Sequence, residues 1–197
     1  MLVAFAGCDG VGKTSIISCV RRSLEQQGFR VKALKPISQE NECVREIARI
    51  KQGYIGNPHD VNTKTRLIIA YATYLASKAI EKDMEEYDYV LLDRWTLCQR
   101  VYATVWQNED SFADHILDQC IRADVTILID GDENMVNKHI ESRAEREEIE
   151  NKYALRRILR TYRKFAQKDS NIQVVVNREG EMEEAVRTIV DLLVGGV

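Results

Sequence analysis

Much of what would place a chain outside the globular α/β class is missing here. No apolar run in its 197 residues approaches the length of a bilayer-spanning helix, so no membrane partner is expected. The only two prolines, Pro36 and Pro58, fall in expected connections and leave the elements uninterrupted. The five cysteines (Cys8, Cys19, Cys43, Cys98 and Cys120) are odd in number and none has C-x-x-C spacing. That argues against a disulfide framework and for free thiols in a reducing cytoplasm. Positive charge is not in excess: 28 Lys and Arg face 31 Asp and Glu, a formal net charge of −3. Broad nucleic-acid binding is therefore not expected, although a local basic pocket for one nucleotide is allowed. The three histidines, His59, His115 and His139, show no metal-ligand spacing, so ordinary surface or core roles are expected. There is no repeat, low-complexity tract or linker, and one domain over residues 1–197 is expected. The glycine-rich segment discussed below lies too close to Met1 for a targeting segment, and a cytoplasmic location is the expectation.

What is present is an alternation of apolar runs with helical patterns. The runs lie at 2–6, 29–34, 87–93, 124–130 and 172–177; they are β-branched and nearly continuous, as in parallel strands covered on both faces. Between them, helical spacing predicts helices over about 13–27, 40–52, 62–83, 96–107, 110–122, 132–143, 152–168 and 181–194. The expected fold is a doubly wound five-stranded parallel α/β sheet flanked by helices, with ligands at the carboxyl ends of the strands.

Three motifs fall at those ends. The first is GCDGVGKT, residues 7–14, between the apolar run LVAFA and a helix. Its spacing is that of a phosphate-binding loop. Gly7, Gly10 and Gly12 let successive backbone N–H groups turn toward phosphate oxygens. Lys13 brings a cation to the β- and γ-phosphates, and the Thr14 hydroxyl can ligate Mg²⁺. The nucleotide-binding set is Gly7, Asp9, Gly10, Val11, Gly12, Lys13, Thr14 and Ser15. The second motif, Asp93-Arg94-Trp95, ends the run YVLL. An acidic residue there can hold Mg²⁺ directly or through water, and the arginine fork can bridge donor and acceptor phosphates. The alternative is a helix cap with a surface charge. The third, ESRAEREEIENK from 141, has no apolar face between Ile140 and Ile149. Such a stretch suits a lid, about 141–150, carrying Arg143 and Arg146 onto phosphates; a salt-bridged surface helix is the alternative. The basic helix after it, with Arg156, Arg157, Arg160, Arg163 and Lys164, reads as amphipathic surface.

Taken together, the loop, the Asp-Arg-aromatic motif, the lid and the final strand and helix resemble the thymidylate kinase family over nearly the whole chain. The resemblance implies a P-loop nucleoside monophosphate kinase fold with an arginine-bearing lid, using ATP and Mg²⁺. It implies catalytic roles for Lys13, Asp93, Arg94, Arg143 and Arg146, metal binding by Thr14 and Asp93, and contact of Asp9 with the acceptor sugar or its partner arginine. Gly10 stands where some members carry a loop arginine, so this chain is similar to the lid-arginine type.

The acceptor side departs from that pattern. Where the family has Arg-Glu-Pro-Gly-Gly, this chain reads Leu34-Lys35-Pro36-Ile37-Ser38. Ile69 and Thr73 stand where a base-stacking phenylalanine and a phosphate-gripping arginine are expected. Of Ala-Tyr-Gln, only Tyr102 survives, in Val101-Tyr102-Ala103. Asp9, Lys35, Arg66, Tyr71, Trp95 and Tyr102 are the acceptor-binding candidates, with Tyr74 and Arg100 near them. The expected activity is ATP-dependent phosphorylation of a (deoxy)nucleoside monophosphate, with a modified pyrimidine, rather than dTMP, as a candidate acceptor. A nucleoside or other small-molecule kinase, a GTP-dependent switch and a non-catalytic nucleotide sensor are the alternatives; a homodimer stays open.

Overall fold

The computed structural model describes residues 1–37, 63–141 and 152–195. Five strands, β1 (Leu2–Ala6), β2 (Val31–Leu34), β3 (Tyr89–Asp93), β4 (Val125–Gly131) and β5 (Ile172–Asn177), form one sheet in the order β2-β3-β1-β4-β5. Every neighbouring pair is parallel. Around them lie α1 (Lys13–Gln26), α2 (Thr63–Glu86), α3 (Thr96–Trp106), α4 (Ser111–Asp118), α5 (Glu133–Glu141), α6 (Lys152–Ala166) and α7 (Met182–Val194). Among the described residues, no helix is long and apolar enough to cross a membrane.

The central strand shows why the sheet needs helices on both faces. Residues of β1 alternate in direction: Val3 and Phe5 join one core cluster with Ile16, Val20 and Leu24 of α1. Leu2 and Ala4 join another, with Ala70, Ala76 and Ile80 of α2 and Leu117 of α4. Each fully buried side chain of this kind contributes about 1.5–3 kcal/mol relative to exposure. A strand apolar on both faces can form only between two such layers.

Every expected strand forms, with shifts at the ends. Runs expected to start at 29 and 87 become strands at Val31 and Tyr89, because Arg30 and Asp88 pair instead across the entry turn. The helix expected over 110–122 is confined to Ser111–Asp118, where the Asp110 carboxylate caps the Ala113 N–H at 2.8 Å. The helix expected over 40–52, with Cys43 and His59 beyond or within it, lies outside the described residues. So does the lid beyond Glu141, including Arg143 and Arg146.

The sheet order fixes the site. β1 is central, with β3 on one flank and β4, then β5, on the other. The loop leaving the carboxyl end of β1 thus has two distinct neighbourhoods. One is made by the ends of β2 and β3, the other by the ends of β4 and β5.

Candidate active site

The loop after β1 is shaped by close approach. Gly7 sits at φ +143°, and a Cβ there would come within 2.5 Å of the Ile129 carbonyl oxygen of β4. Gly10 and Gly12 are at φ +84° and +87°, where a side chain is strained. Gly12 precedes α1, whose first turn has neither a side-chain cap nor an acidic residue. The N–H groups that open α1 lack intrahelical partners, as in any first helical turn, and together with the positive end of the helix they suit an anion. Lys13 is only 6 % exposed. Its Nζ donates to the Cys8 carbonyl at 2.8 Å and lies 3.9 Å from Asp9 Oδ1. Burial and, next, the nearby Arg94 lower its pKa, with Asp9 opposing. A phosphate would supply the counter-charge this ammonium is short of. Cys8 beside it is pushed up to about 12, mainly by burial and then by Asp9, so its thiol stays neutral.

Strand register brings the second motif to the loop. Asp93 of β3 pairs with Phe5 of β1, two residues before Gly7. Thr14 Oγ1 donates to Asp93 Oδ2 at 3.0 Å. The other carboxylate oxygen, Asp93 Oδ1, is buried with no hydrogen-bond partner among the described residues. A buried oxygen with an open lone pair beside a hydroxyl fits Mg²⁺, which binds through one or two protein ligands together with phosphates and water. Among the described residues no group of three or more His, Cys, Asp or Glu converges, so a dedicated protein cage is not what these residues build.

Arg94 follows at φ +73°. A non-glycine residue in this region is strained by about 1–3 kcal/mol. The strain turns the side chain from the strand end toward the loop while its N–H still bonds the Phe5 carbonyl at 2.9 Å. Its guanidinium donates to Asp9 and to the Tyr102 hydroxyl, and that hydroxyl in turn donates to Asp9 at 3.1 Å. Burial raises the Tyr102 pKa, so it remains a donating phenol. Burial alone would raise the Asp9 pKa as well, but Arg94, Lys13 and the bond from Tyr102 bring it below its ordinary value. Tyr102 is held in place by a parallel stack on Trp106, 5.2 Å between centroids.

The structure thus brings together Gly7 through Ser15, Asp93, Arg94 and Tyr102. Lys35 is exposed just after β2, on the β3 flank of the loop. Two acceptor candidates, Arg66 and Trp95, are corrected. Arg66 is 5 % exposed, and its guanidinium is spent on the carbonyls of Asn108 and Asp110 and on Asp114 at 2.6 Å; it clamps α2 to α4. Trp95 is 3 % exposed in the core, with its indole N–H donated to the Ile121 carbonyl, so it does not wall a pocket. Tyr71 is 52 % exposed and stacks on Tyr74. Arg100 is likewise paired, with Asp118 of α4.

Sequence reasoning missed residues on the β4–β5 flank. Asn177, the last residue of β5, is buried and donates from Nδ2 to the Val11 carbonyl at 2.8 Å, fixing the crest of the loop. Its only sequence signal is one amide ending the run IQVVV. His139, expected to be isolated, places Nδ1 2.8 Å from the Gly10 carbonyl. A cavity of about 280 Å³ opens there, lined among others by Gly10, Gly12, Ser15, His139 and Asn177.

A phosphate loop at the carboxyl edge of a parallel sheet, with a strand-end carboxylate and an arginine converging on it, defines a nucleotide-dependent phosphotransferase fold. The thymidylate kinase family model matches residues 5–189, and the chain belongs to that family. It is a phosphotransferase of the nucleotide kinase type. Among solved structures it is similar to the thymidylate kinase from Ehrlichia chaffeensis, at 16 % identity and a TM-score of 0.70 over 98 % of this chain and 97 % of that one.

Proposed function

We propose that this chain transfers the γ-phosphoryl group of ATP to a (deoxy)nucleoside monophosphate whose base is a modified pyrimidine, with dTMP a poor acceptor. The observation that carries the reading is the neutrality of the α2–α3 wall. Thr73 is wholly buried and its hydroxyl is consumed by the Ile69 carbonyl and by Gln99. Arg66 and Arg100, the cations that could replace a phosphate-gripping arginine there, are tied to α4.

In this reading the loop N–H groups and Lys13 hold the donor β- and γ-phosphates, and the cavity beside His139 and Asn177 receives the donor base. Thr14 and Asp93 would hold Mg²⁺, which supplies charge neutralisation at the phosphates. Arg94 leaves Asp9 to span the donor and acceptor phosphates, and Asp9 is then free for the acceptor sugar. Arg143 and Arg146 of the lid complete the cationic surround. Catalysis is by positioning and charge stabilisation, without a covalent intermediate.

The same neutral wall favours one other reading, an uncharged nucleoside as acceptor. An ATP-consumption screen over nucleoside monophosphates and nucleosides, including 5-substituted pyrimidines, separates them. Turnover with a monophosphate supports the first reading. Turnover with nucleosides alone replaces it with the second, and ATP binding without acceptor-dependent turnover rejects both.

A further inference from the structure

Two carbonyl groups at the crest of the phosphate loop are held by side chains from the β4–β5 flank. His139 places Nδ1 2.8 Å from the Gly10 carbonyl oxygen, and Asn177 Nδ2 donates to the Val11 carbonyl at 2.8 Å. A carbonyl has no hydrogen to give. At this distance the imidazole must therefore carry its own on Nδ1, and the Asn177 amide must turn its NH₂ to the loop. Chemistry fixes both directions.

In a trans peptide the carbonyl of one residue and the N–H of the next point in opposite directions, and no peptide bond among the described residues is cis. Holding the Gly10 carbonyl toward α5 thus aims the Val11 N–H away from α5. Holding the Val11 carbonyl toward β5 likewise aims the Gly12 N–H away from β5. Successive N–H groups oriented together form an anion-binding concavity. Sterics alone do not impose this. Gly7 is wedged against Ile129, whereas Gly10, at φ +84°, has the glycine freedom that lets its peptide plane turn over. A turned plane would put a carbonyl oxygen where a phosphate oxygen belongs.

The histidine is delivered by its helix. Met135 and Val136 of α5 are buried around Gly131, together with Val11, and His139 follows them at i+4 and i+3 on the same face. The residue itself is exposed, at the cavity it shares with Gly10, Gly12 and Asn177, so the core does not depend on it.

We infer that His139 is a positioning residue of the donor site. With Asn177 it sets the peptide planes that aim the Val11 and Gly12 N–H groups at the polyphosphate of the donor nucleotide, a role that rests on the assignment of the loop to that polyphosphate. His139 then acts through the loop and not through the donor base, and the two roles differ in what they do to a ligand that has no base.

The test compares ATP with inorganic tripolyphosphate, both with Mg²⁺, by equilibrium binding to wild type, His139→Leu, His139→Asn and Lys13→Ala. His139→Leu removes the N–H and is expected to weaken both ligands by about tenfold, with KM for ATP rising in step and acceptor KM unchanged. An asparagine Nδ2 stands as many bonds from Cα as the histidine Nδ1, so His139→Asn restores both affinities to within about threefold of wild type. His139→Ala carries the test if the leucine variant does not fold. Wild-type affinity of His139→Leu for tripolyphosphate overturns the inference, and a loss confined to ATP assigns the histidine to the base instead. A loss that His139→Asn fails to restore overturns it as well. So does the absence of tripolyphosphate binding by wild type, since a preset loop holds phosphates without a base. Lys13→Ala separates the two failures: if it binds tripolyphosphate as wild type does, the loop is not the polyphosphate site and that assignment falls, taking the role of His139 with it.

Discussion

The two flanks of the phosphate loop were built under different constraints. On the β1–β4–β5 side the contacts fall on the backbone of the loop: glycines in positions a side chain would clash with or strain, a helix N-terminus left open, and the Asn177 amide and His139 ring on the Val11 and Gly10 carbonyls. On the β2–β3 side the contacts are between side chains: Asp9 with Arg94 and Tyr102, Gln99 with Thr73, Arg66 and Arg100 with the acids of α4. Backbone geometry binds phosphate in a way that tolerates no redesign. Side-chain walls can be exchanged pair by pair without disturbing the sheet. A chain can thus keep its donor chemistry and change its acceptor.

The largest effect expected from breaking this contrast is on the backbone-built side. Lys13→Ala removes the one ammonium buried in the loop, and phosphoryl transfer should fall by roughly 10²-fold or more, in a protein whose circular dichroism and melting are near those of wild type. Wild-type turnover by the folded variant would remove the assigned donor site. Across the loop, Arg66→Met should act on stability alone. Deleting one partner of a buried pair costs about 3–5 kcal/mol. Asp114 is partly exposed, which lowers the expectation to about 2 kcal/mol by denaturant titration. A selective rise in acceptor KM at unchanged stability would return Arg66 to the substrate.

Asn177→Ala sharpens the comparison from the other flank. Freeing a buried carbonyl costs about 1–3 kcal/mol, and a loosened loop crest should raise KM for ATP by about tenfold while acceptor KM holds. Equal effects on both substrates would mean that the flanks are not separable.

The smallest effect concerns Asp9. Its pKa is held below the ordinary aspartate value by Arg94, Lys13 and Tyr102 against burial. A carboxylate with a lowered folded-state pKa contributes stability that is complete above its unfolded value. That contribution is lost as pH falls through the lowered one. Melting temperature should therefore drop on acidification below about pH 4, and Asp9→Asn should flatten that drop. An unchanged acid limb in the variant would show that Asp9 is not the group responsible.

The two flanks were also unequally legible in the sequence. Five strands, the loop and Asp93-Arg94 could be read because they rest on local rules: apolar runs, glycine spacing, a strand-end acid. Arg66 and Trp95 were misjudged because a cation or an aromatic near a motif looks the same whether it faces a ligand or a neighbouring helix. Only the packing of α2 on α4 turns Arg66 inward, and only the Ile121 carbonyl claims the indole of Trp95. Asn177 and His139 went unread because their partners, Val11 and Gly10, lie 166 and 129 residues away. No spacing rule joins such positions. Thr73 was noticed as a departure; its bond to Gln99, and hence its meaning, needed two helices in register.

A kept donor side beside a changed acceptor side should show in the choice of acceptor. The direct measurement is kcat/KM for dTMP beside that of the best acceptor found in the ATP-consumption screen, at saturating ATP and Mg²⁺. Two or three altered contacts at about 1–3 kcal/mol each predict that dTMP falls roughly 10²-fold or more below the best acceptor, since about 1.4 kcal/mol is tenfold. If dTMP is instead the best substrate, the neutral wall of Thr73 and Gln99 is compatible with ordinary thymidylate recognition, and the proposed change of acceptor is wrong.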